Sequence, residues 1–169
     1  VLTDVMVTCV ALRDGEETAL IFSNDLRNHS PQFIKKYIEE VVDETGVPAE
    51  NVLVSTTHNH SAPDVNFYQR RAEVTDWGDR IAFPAIRRAA KAAMEDLTPV
   101  VKVTGGKDHV ETVTYVRRYF CADGIFRMNP GKSNNPTAHE SEADTELRAI
   151  RFHRGEEKKD VVLTNFQVH

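Results

Sequence analysis

Two histidines one residue apart, His58 and His60, follow the apolar run Val52-Leu53-Val54 and precede a turn at Ser61-Ala62-Pro63-Asp64. Imidazole is the commonest metal ligand among side chains and titrates nearest to neutral pH. On a strand, residues i and i+2 face the same way, so this spacing would present both rings to one cavity. The chemistry suggested is a zinc-type site, since zinc accepts nitrogen donors in tetrahedral geometry. The competing reading is a pair of polar loop residues with no ligand.

Several elements must position these rings. Val5 to Leu12 and Ala19 to Ser23 are apolar and β-branched runs joined across Asp14-Gly15, which predicts a hairpin because Gly tolerates the positive φ of a tight turn. The second run ends in Ser23-Asn24-Asp25-Leu26, polar groups at a strand's C-terminal end, where α/β folds keep their sites. Ser30-Pro31 opens a helix, with Ser as N-cap and Pro at the first helical position. Phe33, Ile34, Tyr37, Ile38, Val41 and Val42 form its apolar stripe, and Gly46 is its left-handed cap. Strand, helix and strand in that order predict a parallel crossover unit, with the histidines at the same sheet edge as Asp25.

Pro63 to Gly78 reads as a polar loop long enough to line a pocket, with Phe67, Tyr68 and Trp77 either walling it or packing back onto their own domain. A second helix is expected from about Asp79 to Leu97, with Ile81, Phe83, Ile86, Ala90, Ala93 and Met94 inside and Pro84 starting or kinking it. Strands are expected at Val100 to Thr104, Val110 to Phe120, Leu147 to Phe152 and Val161 to His169. A turn is expected at Asp123-Gly124 and a loop over Asn129 to Pro136. The fold class is α/β: mixed β-sheets with flanking helices, residues 1–169 forming one domain. The chain begins at Val1 without Met and ends on His169 inside an apolar run, so it is expected to be a piece of a longer protein, cut at both ends.

Composition agrees with a globular protein. It is 40% hydrophobic and 28% charged, which excludes wholesale disorder, and its net charge of -5 argues against nonspecific nucleic-acid binding. Cys9 and Cys121 offer neither a disulfide framework nor a metal knuckle. The basic stretch Arg87 to Lys91 lies on an amphipathic helix and reads as a solvated face. His29, His109, His139 and His153 sit in turns or charged surroundings and are expected at the surface.

The segment Thr57-His58-Asn59-His60-Ser61-Ala62-Pro63, at the end of its strand, resembles the N-terminal catalytic domain of neutral/alkaline ceramidases, whose hallmark is Thr-His-Thr-His-Ser-Gly-Pro. Ser23 to Leu26, Arg117-Arg118-Tyr119 followed by Asn129-Pro130-Gly131, and Leu163 to His169 are similar to further parts of that family. The resemblance implies that His58 and His169 are zinc ligands, that His60 handles a proton beside the metal, and that Arg117 is an active-site arginine near the substrate. Two further family ligands, a glutamate and a tyrosine, come from later in the family's chain, so residues 1–169 should supply half of a four-coordinate shell. The implied substrate is ceramide or a related lipid amide, reached by peripheral membrane contact, and the implied location is secreted or cell-surface. Asn59 and Ala62 depart from the hallmark mildly. The region from Arg117 to Asn129 departs more, so amide hydrolysis is better supported than ceramide itself.

The residues suit that chemistry. Zinc held by neutral imidazoles lowers the pKa of bound water to roughly 7. A neighbouring histidine can pass a proton to the leaving amine, and a guanidinium can steady an oxyanion or a head group. It is equally expected that Arg117 pairs with a nearby carboxylate as an ordinary strand charge. Rival sites are disfavoured by spacing or context. A metallo-β-lactamase site places Asp two residues after its His-x-His, whereas Asp64 stands four past His60, and an amidohydrolase barrel would not begin with a hairpin. A non-catalytic binding or assembly module on the same scaffold is the alternative of a different class. The sequence does not set the oligomeric state.

Overall fold

The computed structural model describes residues 4–167, and the chain divides into two compact units, Val1–Thr98 and Pro99–His169. The fold is α/β, with three small sheets and flanking helices.

The first unit opens with the expected hairpin, β1 (Val7–Asp14) and β2 (Glu17–Asn24). Its turn is Gly15-Glu16, one residue later than the Asp-Gly signal, with Gly15 at φ +57 at the first central position. Helix α1 (Pro31–Thr45) follows, and β3 (Val52–Thr56) returns parallel to β2. The sheet order is β1-β2-β3. Both ends of α1 obey local chemistry. Ser30 Oγ accepts the Phe33 N–H at 3.2 Å, and Gly46 caps the C-terminus at φ +72.

The inner face of this sheet is set by the two-residue period. Leu20, Phe22 and Asn24 are buried, opposite Ala11, Cys9 and Val7 on one side and Val52, Val54 and Thr56 on the other. Phe33, Tyr37 and Val41 of α1 cover that face, and all three are fully buried.

The stretch after Pro63 is more ordered than a loop. A 3-10 turn (Val65–Phe67) leads to α2 (Ala72–Trp77), a π-helical turn (Gly78–Ala82) and α3 (Phe83–Glu95). Pro84 therefore starts the regular helix, and the π turn lies just before it, where a residue without an N–H cannot bond back to the preceding turn. The π turn also rotates Ile81 outward, to 57% exposure, in place of the interior position expected for it. Tyr68 packs into the core beside Phe33 and Phe83 instead of walling a pocket, and its hydroxyl is donated to Asp79 at 2.7 Å. Gly78 permits this, because a Cβ there would meet the Tyr68 ring at 2.9 Å. Among the described residues no helix is long and apolar enough to cross a membrane.

The second unit contains two antiparallel sheets. One has the order β4 (Lys102–His109), β8 (Glu146–His153), β9 (Val161–Asn165). The other places β5 (Arg118–Cys121) between β6 (Phe126–Met128) and β7 (Pro136–His139). The strand expected over Val110 to Phe120 is shorter than its alternation suggests. Residues 110–117 are irregular and β4 runs on through His109 to pair with Glu146. The Asp123-Gly124 turn forms, with Gly124 at φ +77, and the Asn129 to Pro136 loop holds a single 3-10 turn (Lys132–Asn134) before β7 begins.

Candidate functional site

Because β2 and β3 are parallel, their C-terminal ends meet at one edge, with Asn24 opposite Thr56. Hydrogen bonds then lock the exits together. The Thr57 N–H donates to the Asn24 carbonyl at 2.9 Å, and the Thr57 hydroxyl donates to Asp25 Oδ1 at 3.4 Å. Asp25 Oδ2 accepts the Met6 N–H at 3.2 Å, and the Asp25 N–H donates back to the Met6 carbonyl at 2.9 Å. Beneath them Asn24 is buried and satisfied. Its Nδ2 donates to the Ser55 carbonyl at 2.9 Å, and its Oδ1 accepts the Tyr37 hydroxyl at 3.0 Å. Burial pushes the Tyr37 phenol far above its ordinary range, so it stays a neutral donor. The expectation that the histidines share an edge with Asp25 is met.

The expectation that both rings sit on one strand face is not. β3 ends at Thr56, and His58 has the left-handed φ of +59. The backbone turns at His58, and that turn, rather than the strand's pleat, brings the rings together with centroids 4.8 Å apart and planes at 73°. A non-glycine residue in this conformation costs on the order of 1 kcal/mol and persists where its surroundings hold it.

Here the holder is a backbone carbonyl. His58 Nδ1 lies 2.6 Å from the carbonyl oxygen of Arg27. A carbonyl only accepts, so Nδ1 carries the proton and, in the neutral ring, the lone pair is on Nε2. Zinc-binding histidines use this arrangement, with one ring nitrogen donating to a carbonyl so that the other is oriented toward the metal. His58 and His60 are both exposed imidazoles of a kind that fits zinc. Among the described residues no group of three or more His, Cys, Asp or Glu converges on one point.

The loop of residues 25–30 is the hub of this edge. Beyond the contacts of Asp25 and the Arg27 carbonyl, the Arg27 guanidinium lies 3.9 Å from Asp64, and Asn28 Oδ1 accepts the Asn66 side-chain N–H at 2.7 Å. Asn59 Oδ1 accepts the Ser61 N–H at 2.9 Å and Asp64 Oδ1 accepts the Asn66 N–H at 3.1 Å, two side-chain turns that fold residues 58–66 back toward that hub.

Arg117 belongs to the second unit. It precedes β5, is half-buried, and its carbonyl accepts the Asn129 N–H at 2.8 Å, so the Arg117-Arg118-Tyr119 step and the Asn129-Pro130-Gly131 step are neighbours in space. Arg118 pairs with Glu140 at 3.2 Å. His169, the second expected zinc ligand, lies outside the described residues.

Sequence reasoning missed His29, which is half-buried rather than superficial. Its ring stacks on Phe33 at 5.6 Å with planes 5° apart, and its edge meets Tyr37 at 6.0 Å. The available signal was its place just before the N-cap Ser30, the position from which a side chain commonly folds onto the first turns of a helix. His153 is also half-buried, 3.1 Å from Asp160 and 3.0 Å from the Thr104 hydroxyl. His139 is exposed but ordered, packed on Tyr119 at 4.3 Å with Nδ1 donating to the Val116 carbonyl at 2.6 Å.

No family model, no curated protein and no solved structure matches the chain.

Proposed function

We propose that this chain supplies part of the active site of a zinc-dependent hydrolase that cleaves an N-acyl amide bond, with ceramide (N-acylsphingosine) or a related lipid amide as substrate. One observation carries the reading. His58 is held by the Arg27 carbonyl in the tautomer a zinc ligand needs, with the His60 ring beside it. The likeness of Thr57 to Pro63 to the ceramidase hallmark supplies the reaction class.

In this reading His58 and His169 hold the metal. Zinc, when bound, supplies an activated water at neutral pH. The chain's own residues do the rest. His60 accepts a proton on an imidazole nitrogen and gives it to the leaving amine nitrogen, which makes departure possible without a free amide anion. Arg117 donates to the substrate's carbonyl oxygen or polar head group, a task suited to its fixed charge and planar fork. The 25–30 loop orients His58.

The test is a panel of ceramides and simpler N-acyl amides offered to the intact protein with and without chelator. Turnover that disappears with the metal is expected. Zinc uptake with no turnover of any amide would favour the second reading, a binding or assembly module. The apolar side chains exposed in the second unit, among them Val101 at 69% and Met128 at 64%, are the observation on that side.

A further inference from the structure

Within the loop that holds His58, one atom has no account. His29 Nε2 is buried and has no hydrogen-bond partner among the described residues. A buried polar atom of this kind is uncommon in folded proteins and calls for a reason. Its ring lies flat on Phe33 and edge-on to Tyr37, and Nε2 is buried. A neutral ring tolerates that position with a bare lone pair on Nε2. A protonated ring does not, because both nitrogens then carry hydrogens and the enclosed one faces no acceptor.

The titratable groups of α1 and of the same loop are engaged elsewhere. From α1 the titratable neighbour is Tyr37, whose hydroxyl is committed to Asn24 and kept neutral by burial. From its own loop, Asp25 is engaged with Met6 and Thr57, and Arg27 faces Asp64. Burial alone accounts for the lowered pKa of His29, with no neighbouring charge contributing.

Two residues before His29, the Arg27 carbonyl holds His58 Nδ1 at 2.6 Å, and one residue before it Asn28 is tied to Asn66. The His29 ring and the acceptor that orients His58 thus sit on one short loop, two residues apart. We propose that His29 is a positioning residue that holds the 25–30 loop, and through it His58, while its ring is neutral, and releases both when protonated. The consequence for metal binding rests on the reading of His58 as a zinc ligand.

The direction with pH follows from the burial. His29 titrates below its ordinary value of 6.5 in the folded chain, so between those two values the unfolded state binds more protons. Stability and loop order are complete above 6.5 and are lost as pH falls through the folded value.

The test is metal-free NMR of the whole chain beside His29→Phe, which keeps a ring on Phe33 with nothing to protonate. In the wild type, the His58 Nδ1–H signal should broaden and exchange faster as His29 titrates. In H29F that transition should be absent. Identical His58 curves in the two proteins would overturn the proposal. If H29F does not fold, the wild type decides alone: the His29 ring must titrate below 6.5, in step with the Arg27 carbonyl shift, and an ordinary or out-of-step titration would overturn it. The metal-free readout keeps the two ideas separate. Coupled histidines in a protein that never takes up zinc would sink the zinc reading alone, and uncoupled histidines in one that does would sink this inference alone.

Discussion

The two units of the chain solve the problem of burying apolar surface very differently. In the first, one face of a three-stranded sheet lies under α1 and α3, and Leu20, Phe22, Phe33, Tyr37, Val41, Val65 and Ala90 are all fully buried. In the second, Cys121 is the one described hydrophobic residue that is buried, while Val101, Val103, Ile150 and Val162 lie at 47–69% exposure. Sequence composition does not explain the contrast, since both units are rich in apolar strands. The helices do. An amphipathic helix carries its own apolar stripe to a sheet, whereas the described residues of the second unit include no α-helix to cover its three-stranded sheets. The difference teaches where precision is available. The His58 edge stands on a packed base, with Asn24 buried and hydrogen-bonded beneath it and the His58 ring held by the Arg27 carbonyl. Arg117 stands on strands of three or four residues.

Substitutions can break or sharpen that contrast. Phe22→Ala removes a fully buried ring from the first unit and should destabilise the protein by about 3–5 kcal/mol in urea unfolding. Gly78→Ala should cost about 1–3 kcal/mol, since the new methyl meets the Tyr68 ring at 2.9 Å and the π turn must shift to admit it. Tyr37→Phe leaves Asn24 Oδ1 buried without its donor and should cost about 1–2 kcal/mol, with loss of protection at the Thr57 amide as the local sign. Phe126→Ala, at a ring 45% exposed in the second unit, should cost less than about 1 kcal/mol. A Phe126→Ala cost equal to that of Phe22→Ala would show that the second unit has a core after all, and the contrast would fail.

What was legible in the sequence was what is decided locally. The hairpin at Gly15, the Ser30 cap, the Gly46 stop and the parallel return of β3 each depend on a few adjacent residues, and each formed. What was not legible depends on residues distant in sequence. The π turn before Pro84 answers to Tyr68 seated against Gly78 and Phe83. Residues 110–117 alternate well enough for a strand, but β8 pairs with β4 only up to His109, and without a partner the pattern has nothing to hold it. In the site, the juxtaposition of His58 and His60 was legible and its cause was not. The spacing suggested a strand face, and the structure uses a left-handed residue pinned by a carbonyl thirty-one positions earlier. His29 reads as a surface residue in the sequence for the same reason, since its burial comes from the stack on Phe33.

The central claim is that His58 is built to bind zinc. It is tested most directly by metal analysis of the intact protein beside His58→Ala, both purified in zinc-containing buffer and dialysed. The account predicts about one zinc per chain in the wild type, a tetrahedral structure needing every strong donor, and its loss in the variant with the fold retained by circular dichroism. Equal zinc content in the two proteins would contradict it.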